Sequence, residues 1–118
     1  MLAVERDREA CGRIRSNARG TAVAVVEGEA PAALDALPDP DRAFLGGGSI
    51  GVLDAVLARL RTGGRVVATY AVLATAAAAA DRLGSQVQLT VSRGVPAGAA
   101  GPMRLAAENP VFVAWGPR

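Results

Sequence analysis

The strongest constraint on the fold of this chain is a regular alternation. Short apolar runs of four to six residues take turns with longer amphipathic ones, and glycines stand at the junctions. That rhythm is the pattern of an α/β domain with helices packed on a sheet. Leu2 to Glu5 reads as the end of a strand, and Arg8 to Arg19 as a helix with Asp7 at its N-cap and Gly20 just past its end. Ala22 to Val26 is a run suited to a parallel strand buried on both faces. Pro31 to Leu37 reads as a short helix with proline in its first turn, and Arg42 to Leu45 as a strand closed by Gly46, Gly47 and Gly48.

The clearest helix runs from Ile50 to Arg61. Leu53, Val56, Leu57 and Leu60 fall on one face, Ser49 can cap it, and Gly63-Gly64 stops it. Arg65 to Tyr70 is a strand, Leu73 to Leu83 an alanine-rich helix ended by Gly84, and Gln86 to Ser92 an alternating strand. Gly94 to Ala107 reads as a loop rich in glycine, alanine and proline, and Val111 to Trp115 as the last strand. The expected architecture is one domain with a mostly parallel sheet, and 118 residues suit one domain rather than two.

Composition excludes several function classes. Aromatic residues make up 3% of the chain, so the core is built from Ala, Val and Leu. All 13 basic residues are arginine, scattered and interleaved with acids as in Glu5-Arg6-Asp7-Arg8-Glu9. The net charge of +2 therefore reads as ordinary solvated arginine, not as a nucleic-acid footprint. Histidine is absent, which removes the commonest general base and metal ligand, and no metal site is expected. Cys11 is the one cysteine, on the apolar side of its helix with Ile14 and Ala18, and reads as a buried structural thiol. No apolar leader follows Met1, and the run from Tyr70 to Ala80 is too short to span a bilayer, so a cytoplasmic location without membrane contact is expected.

In a fold of this class ligands sit beyond the carboxyl ends of the strands. Glu5, Glu27 to Ala30, Gly46 to Ser49 and Tyr70 are the residues to inspect. A carboxylate at the Glu5 position can accept hydrogen bonds from ribose hydroxyls, or be a solvated acid beside Arg6. Carboxylates in Glu27-Gly28-Glu29-Ala30 can accept from an exocyclic amine, or favour the start of the helix behind them. Gly46-Gly47-Gly48-Ser49 allows close backbone approach of a ligand, or forms a tight turn. The run lacks the Lys-Ser/Thr pair of a phosphate loop. Gly46-x-Gly48-x-x-Gly51 has dinucleotide spacing, but the acid expected about 20 residues later is missing.

Five segments together resemble one family. They are Val4-Glu5-Arg6-Asp7-Arg8-Glu9, Arg13-Ile14-Arg15-Ser16-Asn17-Ala18, Val26-Glu27-Gly28-Glu29-Ala30-Pro31, Phe44-Leu45-Gly46-Gly47-Gly48-Ser49, and Glu108-Asn109-Pro110-Val111-Phe112-Val113-Ala114-Trp115-Gly116. They are similar to the decarboxylating precorrin methyltransferase domain of cobalamin biosynthesis. The resemblance implies a Rossmann-like fold dependent on S-adenosylmethionine and a precorrin tetrapyrrole as substrate. It implies that Glu5 and Arg6 hold the cofactor's ribose side, that Glu29 and Ala30 face its adenine, and that Gly46 and Gly47 line it. Gly48, Asn109 and the Gly94 to Ala107 loop would lie toward the tetrapyrrole. Arg104 and Arg93 are candidates for its carboxylates on grounds of charge.

The family also carries a strand and a glycine-rich loop ahead of the Glu5 strand, which these residues do not contain. The fold is therefore expected to be N-terminally incomplete, with a gap between the Leu2 to Glu5 and Arg42 to Leu45 strands, and this chain alone to be inactive. A fragment, a mis-called start, a split gene or a decayed copy are the expected origins. The alternatives are a non-catalytic nucleotide- or tetrapyrrole-binding module, which could pair its two orphaned strands or dimerise across them, and another Rossmann-like enzyme using NAD or a nucleotide-sugar. A homo-oligomer is expected in either of the first two cases.

Overall fold

The structure is a computed structural model that describes residues 1–99 and 101–117. Its elements follow in the order β1 (Leu2–Glu5), α1 (Arg8–Asn17), β2 (Ala24–Glu27), a 3-10 turn (Ala32–Leu34), β3 (Arg42–Gly46), α2 (Ile50–Arg59), β4 (Arg65–Tyr70), α3 (Leu73–Leu83), β5 (Ser85–Leu89), β6 (Ser92–Pro96), β7 (Met103–Ala107) and β8 (Val111–Pro117).

The strands fall into three hydrogen-bonded groups: β1 with β2, the series β3-β4-β8-β5, and the hairpin β6-β7. β1 runs parallel to β2, and β3 parallel to β4. β8 is antiparallel to both β4 and β5, so the main sheet is mixed where the alternation of elements suggested a mostly parallel one. The direction of β8 follows from its connection. The chain leaves the sheet at Leu89 and returns at Val111, which pairs with Leu89, so it must run back.

The core lies on one face of the main sheet. Leu45, Val66, Ala68, Tyr70 and Ala114 from the strands meet Leu53, Val56 and Leu60 of α2 and Ala76, Ala79 and Leu83 of α3. Leu53, Leu60 and Val66 are fully buried. The alternation inward and outward along β4 is the period of a strand with one covered face. Small side chains on α3 let that helix lie close over β8, and Gly116 sits directly beneath its last turn.

α1 packs on the smaller β1–β2 sheet. Asp7 caps it, accepting from the Ala10 amide at 2.6 Å, and the buried Cys11 thiol donates to the Glu5 carbonyl at 3.3 Å. Ser49 stands at the N-cap of α2, but its side chain makes no capping bond there.

Two further differences from the sequence reading have physical causes. The Pro31 to Leu37 helix shrinks to a 3-10 turn over Ala32–Leu34, because the seven residues are closed by Pro38, which lacks an amide donor and disfavours helical backbone at Leu37; the Leu34 and Leu37 carbonyls accept from the Arg59 guanidinium of α2 instead. The stretch read as a loop from Gly94 to Ala107 contains most of the β6–β7 hairpin, with Ser92 opposite Ala107 and Pro96 opposite Met103; Ala100 lies outside the described residues. Its glycine and proline content hides the alternation from a composition-based reading. The strand read over Gln86 to Ser92 accordingly divides, ending at Leu89 before β6 begins.

β1 and β3 do not pair with one another. The expected gap between them is thus present, and the idea that these two strands close the sheet is not met. The radius of gyration is 17.3 Å, against about 13 Å for a compact chain of this length.

Candidate functional site at the carboxyl ends of the strands

Register decides which residues share an end of the molecule. Glu5 is opposite Glu27 at the ends of β1 and β2, and Gly46 is opposite Thr69 near the ends of β3 and β4. At the opposite end, Met1 lines one cleft together with Arg42 and Arg65, the first residues of β3 and β4. The strand starts of both sheets therefore line one cleft, and their carboxyl ends lie away from it.

On the β1–β2 side the chain turns tightly after each strand. The Glu5 carboxylate accepts from the Asp7 amide at 2.8 Å, and the Gly28 amide donates to the Glu5 carbonyl at 2.9 Å. Arg6 donates to the Glu29 carboxylate at 3.0 Å, and both side chains are about 70% exposed. Four of the sequence candidates, Glu5, Arg6, Glu29 and half-buried Ala30, are thus brought to one corner. Arg6 and Glu29 already partner each other there. An exposed pair of this kind contributes only about 0–1 kcal/mol, so a ligand can replace it at little cost.

On the β3 side, Gly46, Gly47 and Gly48 form the turn into α2. Gly47 has φ +104° and Gly48 φ +96°, a region that side chains disfavour. A Cβ at Gly47 would meet nothing within 4 Å, so the backbone is open there and available to a ligand. Among the described residues no hydrogen bond joins this turn to the Glu5 corner; the gap between β1 and β3 separates them.

Asn109 joins the same end. It lies just before β8, whose Phe112 pairs with Tyr70 at the end of β4. The β6–β7 hairpin leaves from this end too, between Leu89 and Val111. Arg93 on it donates to Glu108 at 2.7 Å, whereas Arg104 is exposed and makes no ion pair among the described residues. Of the two arginines, Arg104 is the one free to meet an incoming carboxylate.

Tyr70 turns inward instead. Its hydroxyl is buried and has no hydrogen-bond partner among the described residues. Burial pushes its pKa above the usual phenol value, and the nearby Asp54 carboxylate adds to that, opposed by Arg82. Asp54 and Arg82 form a two-point ion pair between α2 and α3. Sequence reading missed this pair, although the two residues stand on helices that the pattern identified. The pairing depends on how α2 and α3 cross, which local periodicity does not contain.

Residues 1–115 match the family model of the precorrin methyltransferase domain. The chain belongs to that family. It is 41% identical over 106 residues to a decarboxylating precorrin-6Y C(5,15)-methyltransferase from a Sinorhizobium species, a match covering 82% of this chain and 26% of that protein. The chain thus spans about a quarter of the length of that curated relative. A solved domain from Corynebacterium diphtheriae, assigned as a precorrin-6Y C5,15-methyltransferase, superposes with a TM-score of 0.85 at 30% identity, covering 99% of this chain and 74% of its own. An S-adenosylmethionine-dependent O-methyltransferase from Thermotoga maritima shares the fold, with a TM-score of 0.63 at 16% identity over 99% of this chain and 49% of its own. The fold is therefore the Rossmann-like methyltransferase fold. No helix among the described residues is long and apolar enough to cross a membrane.

Proposed function

We propose that this chain forms part of an S-adenosylmethionine-dependent, decarboxylating precorrin methyltransferase. What supports the reading is membership of the family together with acceptors and open backbone at the strand ends, the Glu5–Arg6–Glu29 corner on one side of the gap and the Gly46–Gly48 turn and Asn109 on the other.

The residues present fit the cofactor. Glu5 offers a carboxylate to ribose hydroxyls, Arg6 flanks it, and Glu29 with the Ala30 backbone offers acceptors and donors to an adenine edge. Gly46 and Gly47 present bare backbone on the other side of the gap. S-adenosylmethionine, when bound, supplies an electrophilic methyl group. What the chain contributes is placement, because transfer from a sulfonium needs in-line approach and exclusion of water. Gly48, Asn109 and the hairpin would meet the substrate, with Arg104 set against one of its carboxylates. Loss of carbon dioxide from an acetate arm leaves the bonding electron pair to the conjugated macrocycle, and the arm's carbon must then take up a proton. The residues at the described site single out no donor for that proton, and we assign no catalytic residue.

The test is calorimetric titration of S-adenosylhomocysteine into the folded chain, with NAD as the comparison. The expected result is saturable but weak binding, since the two halves of the site are held apart. Preference for NAD, or no saturable S-adenosylhomocysteine binding either by the folded chain or by the chain extended with the strand and glycine-rich loop that the family carries ahead of Glu5, overturns the proposal.

A further inference from the structure

We propose that Glu108 is a positioning residue for Asn109: it closes the base of the β6–β7 hairpin and so fixes Asn109 at the substrate side of the site. Asn109 meets the tetrapyrrole in the methyltransferase reading, and the inference rests on that reading.

The ladder of the hairpin places Glu108. Ser92 is opposite Ala107, and Arg93 opposite Ala106. The Glu108 amide donates to the Val91 carbonyl at 2.9 Å, which carries the pairing one step beyond β6 and β7 toward the main sheet. Side chains alternate along a strand, so Val91, Arg93 and Val95 share a face with Glu108, Ala106 and Arg104. That alternation sets Arg93 and Glu108 on a cross-strand diagonal, within reach of long side chains. The Arg93 Nε and Nη2 both lie 2.7 Å from one oxygen of the Glu108 carboxylate. Glu108 is therefore held twice, by its amide to Val91 and by its carboxylate to Arg93.

The next residues give these ties their consequence. Asn109 and Pro110 follow Glu108 directly. A residue before proline is confined to extended backbone, so Asn109 has little freedom of its own. Val111 then pairs with Leu89 in the main sheet. Asn109 and Pro110 thus bridge two anchors, Glu108 on the hairpin and Val111 on the sheet. The hairpin forms no ladder with the main sheet, so its closed base determines where Glu108 stands. Opening that base removes one anchor of Asn109.

The Arg93 and Glu108 side chains are 70% and 45% exposed. An exposed ion pair adds little to the stability of a fold. Its effect here is placement, and a shift of about 1 Å in a substrate contact is already costly. The pair also cancels the Glu108 charge, which would otherwise repel a substrate rich in carboxylates.

The probe is uroporphyrin III, a fluorescent tetrapyrrole rich in carboxylates, titrated into this chain and its variants. Glu108→Gln keeps the side-chain length and the amide bond to Val91 while removing the charge. It should weaken binding about three- to five-fold, and Arg93→Ala by a similar factor. Circular dichroism should be the same for every variant. Two further readouts separate positioning from a merely structural role. In a chain that carries Asn109→Ala, Glu108→Gln should change binding by less than about two-fold, because its effect runs through Asn109. The swapped pair, Arg93→Glu with Glu108→Arg, should return binding to within about two-fold of the parent. Tighter binding by Glu108→Gln, the result if a freed Arg93 serves the substrate as a second cation, overturns the inference. A swapped pair that stays weak, the result if Arg93 itself touches the tetrapyrrole, also overturns it. So does a full Glu108→Gln effect in the Asn109→Ala chain, or the absence of saturable uroporphyrin III binding. S-adenosylhomocysteine takes no part in these titrations, so their failure leaves the methyltransferase reading to its own calorimetric test.

Discussion

Gly116→Ala is expected to be among the most damaging single-methyl additions to this protein. Gly116 lies in β8 beneath the last turn of α3. A Cβ built there falls 2.1 Å from the Leu83 carbonyl oxygen and 2.9 Å from the Leu83 Cα and carbonyl carbon. All three are backbone atoms, so no side chain can rotate out of the way. Restoring ordinary contact requires a displacement of about 1 Å between helix and strand, in an interior whose packing tolerates little. The helix that must move carries Ala76, Ala79 and Leu83 into the core against Ala114. Over-packing of this kind costs about 3 kcal/mol, the upper end of the usual range, because backbone rather than a side-chain tip must yield. For a domain near this size that lowers the melting temperature by on the order of 10 °C. The comparison is Gly12→Ala on α1, where the added methyl meets nothing within 4 Å. There the same substitution should raise stability by about 0.5–1 kcal/mol, through helix propensity and a less flexible unfolded chain. Thermal melts followed by circular dichroism read both variants. A Gly116→Ala melt within about 2 °C of the parent would refute the packing argument.

Other outcomes follow from the site and the core. Glu5→Gln should weaken S-adenosylhomocysteine binding roughly ten- to a hundred-fold, the loss of a charge-assisted bond worth about 1.5–3 kcal/mol, with the α1 helical signal retained as the control for folding. Gly47→Val should abolish that binding, because a β-branched side chain at φ +104° both strains the turn and closes the bare backbone; calorimetry and a melt separate the two effects. Tyr70→Phe should be neutral or stabilise by about 1 kcal/mol, since it removes a buried hydroxyl without a partner, and a melt at neutral pH tests this. The folded pKa of Tyr70 is raised, so its contribution is fully present below its unfolded value of about 10 and declines as pH rises above that. Denaturant titrations across the alkaline range should show the decline in the parent and not in Tyr70→Phe, and absorbance of this sole tyrosine follows its ionisation directly.

Much of the fold was legible because it is local. The helix over Ile50–Arg59 was readable from Leu53, Val56, Leu57 and Leu60, whose spacing needs only the 3.6-residue period. Asp7 was readable as a cap, and Cys11 as buried, from positions within one turn of α1. The hairpin was not legible, because Gly94, Pro96, Gly98 and Gly101 carry the composition of a loop, and only the pairing of Ser92 with Ala107 reveals a ladder. The candidate site was half legible. Glu5, Glu29 and Gly46 to Gly48 stand out at strand ends, whereas the engagement of Arg93 by Glu108, which leaves Arg104 as the open cation, depends on that hairpin.

The sequence by itself determined the succession of strands and helices, their apolar faces, the family, and which residues stand at strand ends. These follow from near-neighbour chemistry and side-chain period. Only the tertiary structure decided the direction of β8, the two-point contact of Asp54 with Arg82, and the orphaned Tyr70 hydroxyl. Each of these joins residues far apart in the chain, and such contacts are set by which faces pack together, information that no single segment holds.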